Sequence, residues 1–435
     1  MRTAEPMAAE APAPPAPTTT ARERWTIYLM LSGQIMNNLA IRFGLPALLL
    51  FMRQEFGWND LQFARITGSF FPGYMLTQVP AGWIAQHFGG KDILTLNMAG
   101  NAVLLCLLPA AARAGENLLY VTLSIMGAFQ GPLIPCQGAI KAEWLKGLGP
   151  ERPFVLRVMG LGSKIAATLT GWAVPALSSR WGWRSVPYVY GVATAVFAAL
   201  WHFLASNAPP SAEPASGAAA QKPKKKAEWG IMKVRAVQST VWAHIVDNHM
   251  TYTMNQMGPI IYTSVCGVPA ESMGIFLAIP PTLNVCGSFI VGRIEKQLLL
   301  RGLSSLRIQK VMSWAGGVVE AVFFVWFGRC RTSFSATVAW CGVVIGHLLH
   351  GSGFYTNYED IGGPDAAILW ACDNTLASLP GFVSPMIAAA IFRRTGSYTG
   401  LFDLSAAMQI SLALFFGACA STTPARELLA AQRAQ

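Results

Sequence analysis

The chain has 435 residues, 53% of them hydrophobic and only 12% charged, with a formal net charge of +11. A mean hydropathy of +0.40 and apolar runs that recur along nearly the whole length exclude an ordinary soluble domain and place it among multispanning membrane proteins. Lys and Arg concentrate in alternate turns and in both tails, as the positive-inside rule requires, so no nucleic-acid partner is expected and both termini are read as cytoplasmic.

Residues 1–24 are read as a disordered cytoplasmic tail, because the Ala, Pro and Thr stretch with Glu5 and Glu10 has no apolar core and is not a signal peptide. About twelve runs follow that can cross hydrocarbon, roughly 20 residues each. They centre near Leu39, Met75, Leu104, Met126, Ala167, Ala195, Thr251, Ile279, Val319, Val344, Ala377 and Leu412.

The first run carries Gln34, Asn37, Asn38 and Arg42 at i, i+3, i+4 and i+8, one polar stripe on an otherwise apolar helix. An arginine at the centre of a span costs about 2.5–3.5 kcal/mol on insertion scales, so it needs a partner. A guanidinium stays charged and grips a carboxylate or phosphate through two parallel hydrogen bonds. Two readings stand for Arg42: contact with an anionic cargo, or a structural ion pair. The second run, GSFFPGYMLTQVPAGWIAQHFGGK at 68–91, is thick with Gly and Pro. In a bilayer such residues let helices cross closely while neighbouring spans re-satisfy the freed backbone groups.

In the fifth run Lys164 lies within GLGSKIAATLTG, too deep to snorkel easily. It is a second candidate anion contact, or an anchor that reaches the cytoplasmic surface. The six spans of 25–206 are separated from the six of 237–421 by the Pro-, Ala- and Lys-rich linker 207–236, which cannot bury enough apolar surface to fold. Its basic run Lys222, Lys224, Lys225, Lys226, Lys233 and Arg235 reads as a solvated anchor or a contact for anionic lipid. Each half has a basic turn after its second span, at 87–92 and 292–307, the weak symmetry of transporters built from two repeated bundles. Residues 422–435 form a cytoplasmic C-terminal tail.

A second stripe marks the seventh run, where His244, Asp247, Asn248, Thr251, Tyr252 and Asn255 share one helical face. His347 and His350, three apart in the tenth run, titrate near neutral pH or serve as hydrogen-bonded core residues. Asp373 and Asn374 lie in the eleventh. The eight cysteines are scattered singly, with no Cys-x-x-Cys and no His/Cys cluster at metal spacing. Neither a disulfide framework, a metal site nor a cofactor is expected, and Cys266 with Cys330 is at most a conceivable pair.

The stretch Gly68–Lys91 resembles the second span and following turn of the anion:cation symporter branch of the major facilitator superfamily. That branch includes vesicular glutamate transporters, sialin, sodium-phosphate cotransporters and plastid anion transporters. PERPF at 150–154, WGWRSVPYVYG at 181–191 and TVWAHIVDNH at 240–249 are similar to further passages of it. So is GFYTNYEDIGGPDAAILWACDNTLASLPGFVSP at 353–385, through Asn357, Asp360, Ile361, Pro364, Asn374, Pro380, Gly381 and Pro385. The resemblance implies an all-α membrane protein of the major facilitator fold, with about twelve helices in two six-helix bundles that work by alternating access.

It also implies that Arg42 contacts the anion and that the first and seventh spans face each other, so that Asp247 pairs with Arg42 or acts as proton carrier or gate. Asn38, Gln130, Lys164, Tyr252 and Asn255 complete the expected cargo site, and Asp373 and His347 join Asp247 as coupling or gating candidates. The chain departs from the branch where proton-coupled members keep an Asp before the first-span arginine, here Ile41. It departs again in the fourth span, where an Arg and a Glu seven residues on are here Leu123 and Gln130. A neutral Gln cannot exchange a proton, so either coupling has moved to Asp247 or Asp373, or the protein is a uniporter or exchanger.

The leading expectation is a monomeric secondary-active or facilitative transporter of a small anion, inorganic phosphate or an organic carboxylate, coupled if at all to H+ or Na+. The alternative is a transporter-like receptor that binds an anion without moving it. An enzyme is not expected, since no phosphate loop, nucleophile elbow or His-Glu metal motif occurs.

Overall fold

A computed structural model describes residues 19–146, 148, 151–210, 228–362 and 366–434. Most of the N-terminal tail, Pro150 of the PERPF turn, linker residues 211–227 with Lys222, Lys224, Lys225 and Lys226, and Pro364 lie outside these described residues. Among them there are helices and no strands.

In the first half the helices are α1 (Ala21–Phe56), α2 (Asp60–Gly68), α3 (Phe70–Phe88), α4 (Lys91–Ala114), α5 (Glu116–Gln130), α6 (Leu133–Trp144), α7 (Arg152–Trp181) and α8 (Ser185–Leu204). The second half holds α9 (Arg235–Ile260), α10 (Gly274–Leu300), α11 (Ser305–Phe327), α12 (Ser333–Gly362), α13 (Ala366–Leu376), α14 (Leu379–Thr395), α15 (Thr399–Cys419) and α16 (Ala425–Ala434). The pairs α2/α3, α5/α6 and α13/α14 are single rods broken at Ser69, at Gly131-Pro132 and at Ala377-Ser378, so a helix stands at every centre read from the sequence except Ala377, which falls in the break of the α13/α14 rod. Nine of the described helical stretches are long and apolar enough to cross a membrane. Those of α3, α7 and α9 are not among them, because polar residues such as Gln78, Lys164 and the seventh-span stripe lower their hydropathy.

Local chemistry sets the ends. Thr20 and Glu23 form a reciprocal capping box at the start of α1, and Gly57 closes it in the left-handed conformation (φ 65°). Outward faces carry large apolar side chains such as Phe203 (81% exposed) and Leu76 (76%), the surface hydrocarbon covers.

Helix contact in lipid depends on small residues, since burial of apolar area drives nothing there. The Gly-rich stretch at 68–91 shows the consequence. A Cβ on Gly73 would lie 1.8 Å from the Ser124 carbonyl oxygen, and one on Gly127 would lie 1.8 Å from that of Phe70, so α3 and α5 cross backbone to backbone.

The halves meet away from the chain termini, where α7 packs on α10, α2 on α14 and α1 on α9. Gly381 accepts the ring of Phe71 there, and Phe71 stands edge-on to Tyr252 at 4.7 Å. At that end Glu55 accepts from Trp183 Nε1 (2.7 Å) and pairs with Arg184. Both charges are partly exposed, so Glu55→Gln is expected to lower stability by no more than about 1 kcal/mol in a thermal denaturation measurement. At the opposite end α16 packs on the 3-10 turn Trp229–Lys233, with Arg433 on Glu228 at 3.2 Å.

Candidate functional site

A cavity of about 850 Å³ lies between α7 and α9, α10 and α12, with Ile35, Phe43 and Ala47 of α1 on one wall. Its polar lining includes Arg157 and Lys164 on α7, Asn255 on α9, Glu295 on α10, and His347 and Tyr355 on α12. It extends from Arg157, Glu295 and Thr356, near the helix ends that share a side with the termini, to Gly171 and Leu277. There a Cβ on Gly171 would lie 2.8 Å from the Leu277 carbonyl oxygen, so α7 and α10 seal it.

Arg42 stands behind the α1 wall, 9% exposed. Its guanidinium carbon lies 4.1 Å from the Tyr74 ring centroid and 5.2 Å from that of Phe70. Such faces stabilise a desolvated cation by about 2 kcal/mol. Nη2 donates a long hydrogen bond, 3.5 Å, to Gln130 Oε1, the hydroxyls of Tyr74 and of Tyr252 on α9 lie beside the guanidinium, and Nε has no hydrogen-bond partner. No carboxylate among the described residues lies within 4 Å of it.

The polar stripe of α1 divides. Gln34 and Asn38 are fully buried on the row that ends at Arg42, with Gln137 Nε2 donating to Gln34 Oε1 (2.5 Å) and Asn38 Nδ2 to the Gln34 carbonyl (3.0 Å). Asn37 turns to α8, donating to Thr194 Oγ1 at 3.0 Å. Gln34 Nε2, Asn38 Oδ1, Gln130 Nε2 and Gln137 Oε1 have no protein partner, so a row of amides, each with one unpartnered atom, runs beside α1 to the guanidinium.

The expected pairing of Asp247 with Arg42 is not formed. Asp247 instead accepts at Oδ1 from His350 Nε2 (2.9 Å) and at Oδ2 from the Tyr355 hydroxyl (2.9 Å), and His347 Nδ1 lies 2.8 Å from Oδ1. The reason is depth and direction: Asp247 faces α12 inside the second half, whereas Tyr252, further along α9, turns toward Phe71 and α3. Thr251 and Asn255 line the cavity. Asp373 Oδ2 takes a 2.7 Å contact from His244 Nδ1, deep in α13. Its neighbour Asn374 donates to Gln78 Oε1 (2.5 Å), and Gln78 to Ser378 Oγ (3.3 Å), so these amides tie α3 to the α13/α14 rod.

The sequence profile of the Major Facilitator Superfamily matches residues 30–385, most of the chain. The chain belongs to the Major Facilitator Superfamily. Among proteins similar to this transporter, "Probable anion transporter 4, chloroplastic" of Oryza sativa subsp. japonica is 28% identical over 400 residues, 89% of this chain and 67% of that one. Human sialin is 27% identical over 380 residues, 83% of this chain and 76% of its own. These belong to the branch that the sequence resembles. The solved D-xylose-proton symporter superposes with a TM-score of 0.71 at 12% identity, covering 93% of this chain and 99% of that one. A bacterial Spinster homologue, facing inward and unoccupied, gives 0.69 at 15% identity, covering 95% and 98%. Both likenesses concern the superfamily fold.

The three-dimensional arrangement adds groups to this transporter's interior that pattern reading passed over. Tyr74 and Phe70 floor the Arg42 site but read in sequence as ordinary apolar residues. Glu320 of α11 is fully buried with both oxygens unpartnered, 4.0 Å from His350 Nε2. Its signal was available, a lone carboxylate within the apolar run SWAGGVVEAVFF.

Proposed function

We propose that this transporter moves a small anion, inorganic phosphate or an organic carboxylate, by rocking of an N-terminal bundle (25–206) against a C-terminal bundle (237–421), with both termini cytoplasmic. The observation that carries this reading is Arg42: a buried guanidinium held by aromatic faces, a long amide contact and the hydroxyls of Tyr74 and Tyr252, all neutral, with no carboxylate among the described residues within 4 Å. Buried charges are ordinarily paired, and the missing counter-charge is supplied by the cargo. Similarity to a chloroplastic ascorbate transporter and a sodium-dependent phosphate transport protein of Arabidopsis thaliana supports the anionic class.

In this reading Asn38, Gln130, Tyr252 and Asn255 offer the neutral contacts. Lys164, on the cavity wall without a carboxylate within 4 Å, offers a second positive charge in place of the cation lost at Leu123. Asp247, His347 and Asp373 are the gating groups, since Tyr355 and His347 connect Asp247 directly to the cavity. One chain suffices for this cycle.

The test is uptake of labelled phosphate, ascorbate and other carboxylates into proteoliposomes, with and without a pH or sodium gradient. Saturable uptake of an anion above protein-free vesicles is expected, and absence of any anion flux under all gradients, with binding retained, would favour a receptor. Lys164→Ala is expected to raise the apparent KM for the anion about 10-fold, equivalent to 1.4 kcal/mol. Unchanged KM in that variant removes Lys164 from the cargo site.

A further inference from the structure

We propose that Asp247, His347 and His350 form a binding site for one divalent transition-metal ion of the zinc type, entered from the cavity. His347 and His350 are three apart on α12 and so share a face, and α9 brings Asp247 up to both. The donor atoms all lie within 4.8 Å of one another. Asp247 Oδ1 lies 2.8 Å from His347 Nδ1 and 2.9 Å from His350 Nε2, about 0.5 Å inside the edge, about 3.4 Å, of a tetrahedron with metal bonds of 2.0–2.1 Å, so an outward shift of the two rings by that amount admits the ion.

Charge points the same way. Asp247 and Glu320 are both buried, and no Lys or Arg among the described residues lies within 4 Å of either. Glu320 is fully enclosed with neither oxygen hydrogen-bonded, an arrangement that costs several kcal/mol unless a cation or a proton balances it. The fold holds it there deliberately close: a Cβ on Gly316 would meet the His350 backbone nitrogen at 2.4 Å, and one on Gly346 the Glu320 Cγ at 2.5 Å. Backbone contact between α11 and α12 thus sets a second carboxyl group behind His350.

The ligand type selects the ion. Imidazole nitrogens with one carboxylate suit zinc and its neighbours, whereas Na+, Mg2+ and Ca2+ prefer oxygen cages. Tyr355 donates to the free oxygen of Asp247, the outer hydrogen bond that fixes a ligating carboxylate. His347, with its side chain 19% exposed and on the cavity wall, provides the entry and leaves an open coordination position. Local sequence spacing concealed the site, because Asp247 stands a hundred positions before its partners. It does not depend on which anion is carried.

The experiment uses the full, untagged chain in detergent, titrated with ZnCl2 and followed by calorimetry and thermal unfolding, with MgCl2 as comparison. One Zn2+ per chain and a rise in Tm are expected, with no response to Mg2+. His347→Ala and Asp247→Asn should each weaken Zn2+ binding at least ~10-fold and Tyr355→Phe about 10-fold, while His202→Ala, on the exposed face of α8, leaves it unchanged. X-ray absorption of the bound ion should show a nitrogen and oxygen shell with imidazole scattering. Absence of a Zn2+ response, wild-type affinity in His347→Ala, or a sulfur shell overturns the assignment. His347→Ala decides alone if Asp247→Asn fails to fold, since the His347 ring makes no aligned hydrogen bond.

Discussion

Arg42→Gln is expected to reduce anion uptake in proteoliposomes to background while leaving the Tm of the purified protein unchanged or higher. The two halves of that expectation separate the roles open to a buried arginine. Were Arg42 half of a structural ion pair, removing it would strand a buried carboxylate and cost about 3–5 kcal/mol. No such carboxylate is within reach; the guanidinium rests on Tyr74 and Phe70 and touches Gln130 at 3.5 Å. The variant therefore loses a cation–aromatic contact of about 2 kcal/mol and regains the cost of burying an uncompensated charge, about 2.5–3.5 kcal/mol on insertion scales. The cargo loses a charged hydrogen-bond partner, about 1.5–3 kcal/mol, which is about 10- to 150-fold in affinity. Arg42→Lys should recover only part of the uptake, because a point ammonium cannot present the parallel donors of the fork. Equal uptake by wild type and Arg42→Gln would place the cargo elsewhere.

Replacing Gly127 by Leu should be the most damaging single change in the first half. Even the first added carbon would lie 1.8 Å from the Phe70 carbonyl oxygen, and Gly73 on the facing helix has the same relation to Ser124. Neither obstacle is a side chain that can swing aside, so α3 and α5 must separate. Overpacking of this kind costs about 1–3 kcal/mol where side chains give way and more where backbone must move. Loss of function should accompany loss of stability, since α3 carries Phe70 and Tyr74 beneath Arg42 and α5 carries Gln130 beside it. Gly138→Ala is the matched control: nothing lies within 4 Å of its added carbon, and helix propensity favours the change. A Tm for Gly127→Leu within a degree of wild type would mean that the crossing is looser than its geometry implies.

Much of the fold was legible in the residues. Hydrocarbon thickness fixes span length, so each apolar run announced a helix, and the glycines of 68–91 announced close crossing. The polar faces of the first and seventh spans were legible for the same reason: periodicity assigns residues to a face. Asn37 shows the limit, since a face is broad and three residues of rotation sent it to Thr194 on α8 rather than toward Arg42.

Partners were not legible, because a helical pattern says that a side chain must find company inside the protein but not which helix brings it. Arg42 and Asp247 were natural partners by charge, yet packing turned one onto aromatic rings and the other onto the histidines of α12. Composition and periodicity by themselves determined a multispanning helical chain with charged groups turned inward. Which of those groups meet was decided only when the α11–α12 and α3–α5 crossings fixed the helices' distances and rotations, because electrostatic pairing falls off over a few ångströms and backbone contact at glycine sets those ångströms.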